Sequence, residues 1–347
     1  MLLSKNAVGC ADCAFRLDCG GIFDKPSIFG CYSECIANCN PEVCDLTCPN
    51  NQRLFSARFA EIEGDFRFSA PPLNVPALTL PRYVPKIHNG SGRLQPLFVP
   101  VAAIPARALL QKSGSDISCR FKNPAQVREY FCLSKRTAYI ISCVSTDDEV
   151  EMVWESLIYG QLAEEWARLK PAAVIVPNFS FFIDDVPRTH TIYNRKRICL
   201  AARILSEAGC HVILPLSALT PNDWDFWYQL LQENPAMKYV AKEFQTGLCG
   251  PKAGVRAINH LAKLQERLGR PLHPVALGGG RYKNNINIGF DNHTILESRA
   301  FILMTQRVRA TQNKSGSYSE VSSPTVLGEP TDNLLRHNIK ARMDRLK

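Results

Sequence analysis

Eight cysteines fall within the first 48 residues: Cys10, Cys13, Cys19, Cys31, Cys35, Cys39, Cys44 and Cys48. Their spacing is C-x2-C-x5-C, then eleven residues, then C-x3-C-x3-C-x4-C-x3-C-P. The opening MLLSKNAVGCADC has no long apolar stretch followed by small residues at a cleavage site, so a cytoplasmic, reducing setting is expected. Stable disulfides are rare there, and clustered thiols more often bind metal. Eight thiolates are enough for two four-coordinate centres, either zinc on four sulfurs or an iron–sulfur cluster on four cysteines. Pro49 after the last cysteine and the absence of histidine before His88 favour a cluster; the wide gaps favour zinc; both stay open. About 50 residues bury too little apolar surface to fold unaided, so a metal-stapled folding or docking module is expected ahead of a redox centre.

Three further stretches carry groups that could do chemistry. In Pro177–Arg188, Asn178, Asp184, Asp185 and Arg188 lie together beyond an apolar run. A carboxylate in a closed pocket can act as a general base or a nucleophile, which makes Asp184 and Asp185 catalytic candidates and Asn178 and Arg188 substrate-binding ones. The alternative is a loop in which one Asp caps the next helix. Just downstream, Arg195, Lys196 and Arg197 offer three successive cations for phosphate, or a solvated helix face. Gly278, Gly279 and Gly280, followed by Arg281 and Lys283, could bring backbone N–H groups and positive charge to an anion. Asp291, near His293 and Glu297, is a candidate nucleophile, with a structural turn Asp as the alternative. Cys249 ahead of a helix start is a weaker site.

These groups need elements to position them. Between about residues 96 and 310, short apolar runs alternate with helical patterns. The runs are Leu97–Ala102, Ala138–Val144, Ala172–Val176, His211–Leu216, Lys238–Phe244, Pro274–Leu277 and Thr294–Leu296. Continuous β-branched runs are what strands buried on both faces require. Thr146 to Glu149 reads as a capping box. Pro221 and Pro251 open helices. Gly209 and Gly269 follow helices at positions suited to a left-handed residue. Repeated strand–helix units imply a parallel sheet covered by helices. With a strand near Leu78 the count reaches eight, so the expected fold is α/β, a (β/α)8-like barrel with a small N-terminal Cys-rich metal-binding module. The expected organisation is the module at 1–50, a connector with short strands at 51–95, the barrel at 96–310, and a linker with a short basic helix at 311–347.

The chain of 347 residues, 46% hydrophobic and 21% charged, is too apolar for a disordered protein. No apolar run approaches the roughly 20 residues needed to cross a bilayer, so no membrane partner is expected. The net charge of +9 is local: residues 250–310 carry ten Lys or Arg against three acids. A basic region beside a Gly-rich loop suits nucleic acid.

The run PNFSFFIDDVPRTHTIYNRKR with AGCHVILPLS, and VALGGGRY followed by GFDNHTILES, resemble a family of uncharacterised bacterial and phage proteins. That family is related to the tRNA-guanine transglycosylase superfamily and its DNA-acting 7-deazaguanine branch. The resemblance spans roughly residues 138–310. It implies a barrel enzyme that exchanges a base at a C1′ carbon, with Asp291 at the position of the late-strand Asp and Asp184 or Asp185 as the second carboxylate. Where the superfamily's strand often ends Pro-Asp, this chain has Pro177-Asn178, and an Asn cannot serve as a base. The superfamily's late zinc cysteines have no counterpart here, so the N-terminal cysteines are not carried over from it. The expected function is a nucleic-acid-directed, base-exchanging glycosyltransferase. The alternatives are a non-catalytic nucleic-acid-binding accessory protein with a docking module, and an iron–sulfur enzyme on a barrel.

Overall fold

The computed structural model describes residues 15–19, 40, 42–49, 51–69, 71–111, 117–181, 186–245, 250–312, 318–326 and 328–346. Eight short strands form one sheet: β1 (Tyr83–Pro85), β2 (Val101–Pro105), β3 (Ala138–Ser142), β4 (Ala173–Ile175), β5 (Val212–Pro215), β6 (Tyr239–Glu243), β7 (His273–Leu277) and β8 (Thr294–Glu297). Neighbours from β2 to β8 pair in parallel, and β8 pairs in parallel with β1. A parallel bridge from Lys86 to Ala103 joins β1 to β2 and brings the sheet round on itself. The fold is α/β, a nearly closed (β/α)8-like barrel.

Side chains alternate across each strand. Val84, Ala103, Ile140, Ile175, Ala241 and Leu277 point inward and form one core. Their neighbours, among them Ile104, Ile141, Val174 and Val240, point outward into a larger core beneath the helices. The helices are α1 (Arg16–Cys19), α2 (Gln52–Glu61), α3 (Pro124–Tyr130), α4 (Asp147–Tyr159), α5 (Leu162–Leu169), α6 (Arg188–Glu207), α7 (Pro221–Glu233), α8 (Pro251–Leu268), α9 (Lys283–Gly289), α10 (Arg299–Thr305) and α11 (Asp332–Leu346). Gly209 and Gly269 both have positive φ, +96° and +62°, at helix ends as expected. Thr220 and Asp223 form a full capping box on α7, whereas Thr146 makes no side-chain cap on α4; there the Ser145 hydroxyl meets Glu149 instead.

The eighth strand differs from expectation. It is Tyr83–Pro85, and the stretch around Leu78 is a strap across the strand-start end of the barrel. Tyr239 OH donates to Leu78 O at 2.8 Å, Thr294 Oγ1 donates to Pro81 O at 2.8 Å, and Leu80 enters the inner core. The backbone of this stretch is satisfied by side chains and by one strand's N–H: Leu73 N donates to Asn234 Oδ1 at 3.1 Å, and Val212 N donates to Asn74 O at 2.9 Å. The connector also holds a helix, α2. Its phenylalanines Phe55 and Phe59 cluster with Phe15 and Phe66, and Tyr193 OH donates to its Glu61 at 2.6 Å.

The C-terminal stretch is part of the barrel's wall. Val308–Gln312 (β9) and Tyr318–Ser322 (β10) make an antiparallel pair where a linker was expected. Helix α11 buries Leu334, Leu335, Ile339 and Leu346. Arg342 on its inner face pairs with Glu297 of β8. The tail's expected basic face is therefore partly internal.

Candidate functional site: the strand-end mouth of the barrel

In a parallel barrel the loops after the strands build the working end. The strap occupies the other end. At the mouth, inward-facing positions change from apolar to polar: Lys86 beyond β1, Ser142 on β3, Ser217 beyond β5, Glu243 on β6 and Ser298 beyond β8. Lys86 Nζ donates to Val144 O at 3.2 Å. Burial pushes its amine below the ordinary 10.5, while Cys143 and Glu149 act the other way. His88 Nε2 lies 2.9 Å from Ser298 Oγ. Its imidazole is pushed below 6.5, by burial first and then by Lys86. Ser217 Oγ donates to Asn178 Oδ1 at 3.1 Å. Ser142 is 1% exposed and its Oγ has no hydrogen-bond partner among the described residues.

Asn178 thus reaches the mouth. Asp184 and Asp185 lie outside the described residues, in the loop between β4 and α6. The described ends of that loop are pinned: Ser180 Oγ donates to Asp147 at 2.5 Å, and Arg188 ties into α7. Arg188 does not face solvent. Its Nη2 and Arg195 Nη1 meet Asp223 Oδ1 at 2.6 and 2.7 Å, in a cluster where Asp223 is 0%, Arg188 3% and Arg195 2% exposed. Burial would raise the Asp223 carboxyl, but the two guanidiniums outweigh it and hold it below 3.8.

The three cations of residues 195–197 are neither a phosphate patch nor a solvated face. Arg195 stacks 4.1 Å from the Phe226 ring centre and Arg197 3.8 Å from that of Phe179. Arg197 makes a bidentate pair with Glu151 at 2.6 and 2.9 Å, and Lys196 Nζ donates to Arg67 O. The barrel covers one side of α6, and residues 15–19 and 42–69 cover the other. Sequence reasoning treats α6 as a surface helix because its second cover comes from over a hundred residues upstream.

Gly278 to Gly280 come directly after β7 at the mouth, but packing uses their missing side chains. A Cβ on Gly278 would strike Gln245, one on Gly279 would lie 2.7 Å from Ala276 Cβ, and one on Gly280 would lie 3.1 Å from Glu297 Oε2. Lys283 Nζ donates to Arg345 O, and Arg281 is exposed beside the Tyr282 ring. Asp291 is exposed three residues ahead of β8. It therefore stands at the strand-start end, across the barrel from Gly278, and the two do not share a site.

Of the eight N-terminal cysteines, Cys10, Cys13, Cys31, Cys35 and Cys39 lie outside the described residues. Cys19 and Cys44 are half-buried and Cys48 is buried. Among the described residues no group of three or more candidate ligands could hold a metal ion. The described pieces of this region dock beside the mouth. Thr47 N donates to His190 Nδ1 at 3.1 Å, Thr189 Oγ1 donates to Thr47 O at 2.7 Å, and Asn222 Nδ2 donates to Asp18 O at 2.8 Å. Cys249 also lies outside the described residues. No helix among them is long and apolar enough to cross a membrane.

Fold and site define a (β/α)8-like barrel protein with a polar mouth. No family model matches the chain, and no curated protein matches it. A solved crystal structure, a putative fructose-1,6-biphosphate aldolase from Coccidioides immitis, is similar to it at 12% identity and a TM-score of 0.44, over 84% of this chain and 92% of that one.

Proposed function

We propose that this chain is a glycosyl-transfer enzyme that exchanges a base in nucleic acid at the mouth of the barrel. The observation that carries the reading is where the described flanks of the β4–α6 loop lie: Asn178 and Ser180 on one side and Arg188 on the other are anchored at the polar end of the barrel. That loop contains Asp184 and Asp185. One carboxylate attacks C1′ as the C1′–N bond breaks, and the other gives the departing base a proton. That second carboxylate then takes the proton from the incoming base, whose nitrogen displaces the first carboxylate from C1′. The resemblance of residues 138–310 to the transglycosylase superfamily supports this chemistry. In the reading Asp291 has no catalytic part, because it stands at the opposite end. Exposed Lys252, Arg256 and Lys263 on α8 would face the polyanion. The eight cysteines would staple a metal-bound module, with zinc or iron–sulfur clusters, that docks on the start of α6.

The test is incorporation of labelled guanine into tRNA and into duplex DNA. Asp184→Asn or Asp185→Asn should abolish it and Asp291→Asn should leave it intact; the reverse pattern refutes the assignment. Metal analysis and visible absorbance of anaerobically purified protein decide the module, and metal-free folded protein refutes it.

A further inference from the structure

Lys86 sits where β1 meets β2, with its backbone held from both sides. Its N–H donates to Glu297 O at 2.9 Å, and the next N–H, of Ile87, donates to Ala103 O at 2.8 Å. Val84 points into the barrel, so Lys86, two residues on, does too. The side chain reaches across β2 to Val144 O and remains partly open to solvent. One residue short of Cys143, on the inward face of β3, Ser142 holds a buried hydroxyl that has no partner among the described residues. Such a group normally finds one. Among the described residues, the charged and titratable groups that act on or feel the amine are Cys143, Glu149 and His88.

We infer that Lys86 is an amine nucleophile that forms an imine with the aldehyde or ketone carbon of a small substrate entering the mouth, with Ser142 Oγ donating to the carbonyl oxygen. The nitrogen pair forms the N–C bond, and the carbonyl π pair moves to oxygen, which takes up a proton. The nitrogen then gives up its protons and the oxygen leaves as water while C=N forms. Amine and carbonyl become imine and water, with no oxidant or reductant required. Burial favours the step, because a lysine pushed below its ordinary range is neutral more often at pH 7.

The experiment uses the full chain with limiting glyceraldehyde and cyanoborohydride at pH 7, followed by peptide mass mapping over time. The probe carries neither base nor nucleic acid, so its outcome is separate from that of the base-exchange assay. The expected result is reduced adduct on Lys86 at least about tenfold faster than on surface lysines, and about tenfold slower labelling in Ser142→Ala. Lys86→Arg should lose the fast phase with an unchanged melting temperature. The wild-type map decides the matter even where a variant fails to fold: labelling spread over surface lysines, or fast labelling at Lys242 of β6, whose amine donates to Leu216 O at 2.8 Å, overturns the inference.

Discussion

Arg342 of α11 donates from Nε to Glu297 Oε1 at 2.6 Å and from Nη2 to Oε2 at 2.9 Å, joining the last helix of the chain to the last strand of the barrel. Both side chains are about nine-tenths buried, so removing one leaves an uncompensated charge. Arg342→Met should cost about 3–5 kcal/mol in urea unfolding. Gly280→Ala, which places a Cβ 3.1 Å from Glu297 Oε2, should destabilise through the same pair.

Asp223 carries two buried guanidiniums. Its pKa is depressed in the fold, so its contribution is complete above about pH 4 and lost as pH falls through the folded value. Asp223→Asn should lower stability by about 3–5 kcal/mol at pH 7 and flatten the acid limb of a stability–pH curve.

Two histidines act in a higher window. Burial, with Arg197 and Arg58 adding to it, lowers His190 to about 3; burial, with His293 next, lowers His273 to about 4. Both must be neutral in the fold. Their contribution is full above about pH 6.5 and declines as pH falls toward the folded values, by up to about 1.4 kcal/mol per pH unit for each. Because His190 accepts from Thr47 N, protection factors at residues 42–49, corrected for the intrinsic exchange rate at each pH, should fall as pH drops through that window, and His190→Gln should remove part of the dependence.

The strap is testable by truncation of its plug. Leu80→Ala should cost about 2–5 kcal/mol. Tyr239→Phe, which loses the donor to Leu78 O, should cost about 1 kcal/mol. Both are read in thermal or urea unfolding, and neither residue is at the mouth.

The apolar runs located β3 to β8 because a strand buried on both faces must be apolar along its length; the run Leu97–Ala102 meets β2, Val101–Pro105, only at its last two residues. The eighth strand escaped this signal: Tyr83-Val84-Pro85 is short, and the longer apolar stretch at Leu78 competes with it. The linker reading failed at Tyr318–Ser322, whose residues are mostly exposed and polar; they pair with β9 through backbone, and Ser319 Oγ meets Thr311 Oγ1 at 2.8 Å while Glu320 pairs with Arg299 of α10. Asn178 was legible as a mouth residue from its place after a strand. Lys86, Ser142 and Ser217 were not, since each lies singly at the end of an apolar run with no motif around it.

The chain's order of apolar runs and helix signals was enough to determine the parallel barrel, because strand burial and helix capping are written locally. The same holds for the concentration of cysteines in the first 48 residues and of basic residues after 250. Tertiary structure alone decided which charges meet water. Arg195, Lys196, Arg197 and Arg342 read as surface cations until distant segments cover them and supply carboxylates, carbonyls and aromatic faces. It also separated Asp291 from Gly278. The two are only thirteen residues apart, yet Gly278 lies just after the end of β7 and Asp291 just before the start of β8. Parallel strands put those two points at opposite ends of the barrel.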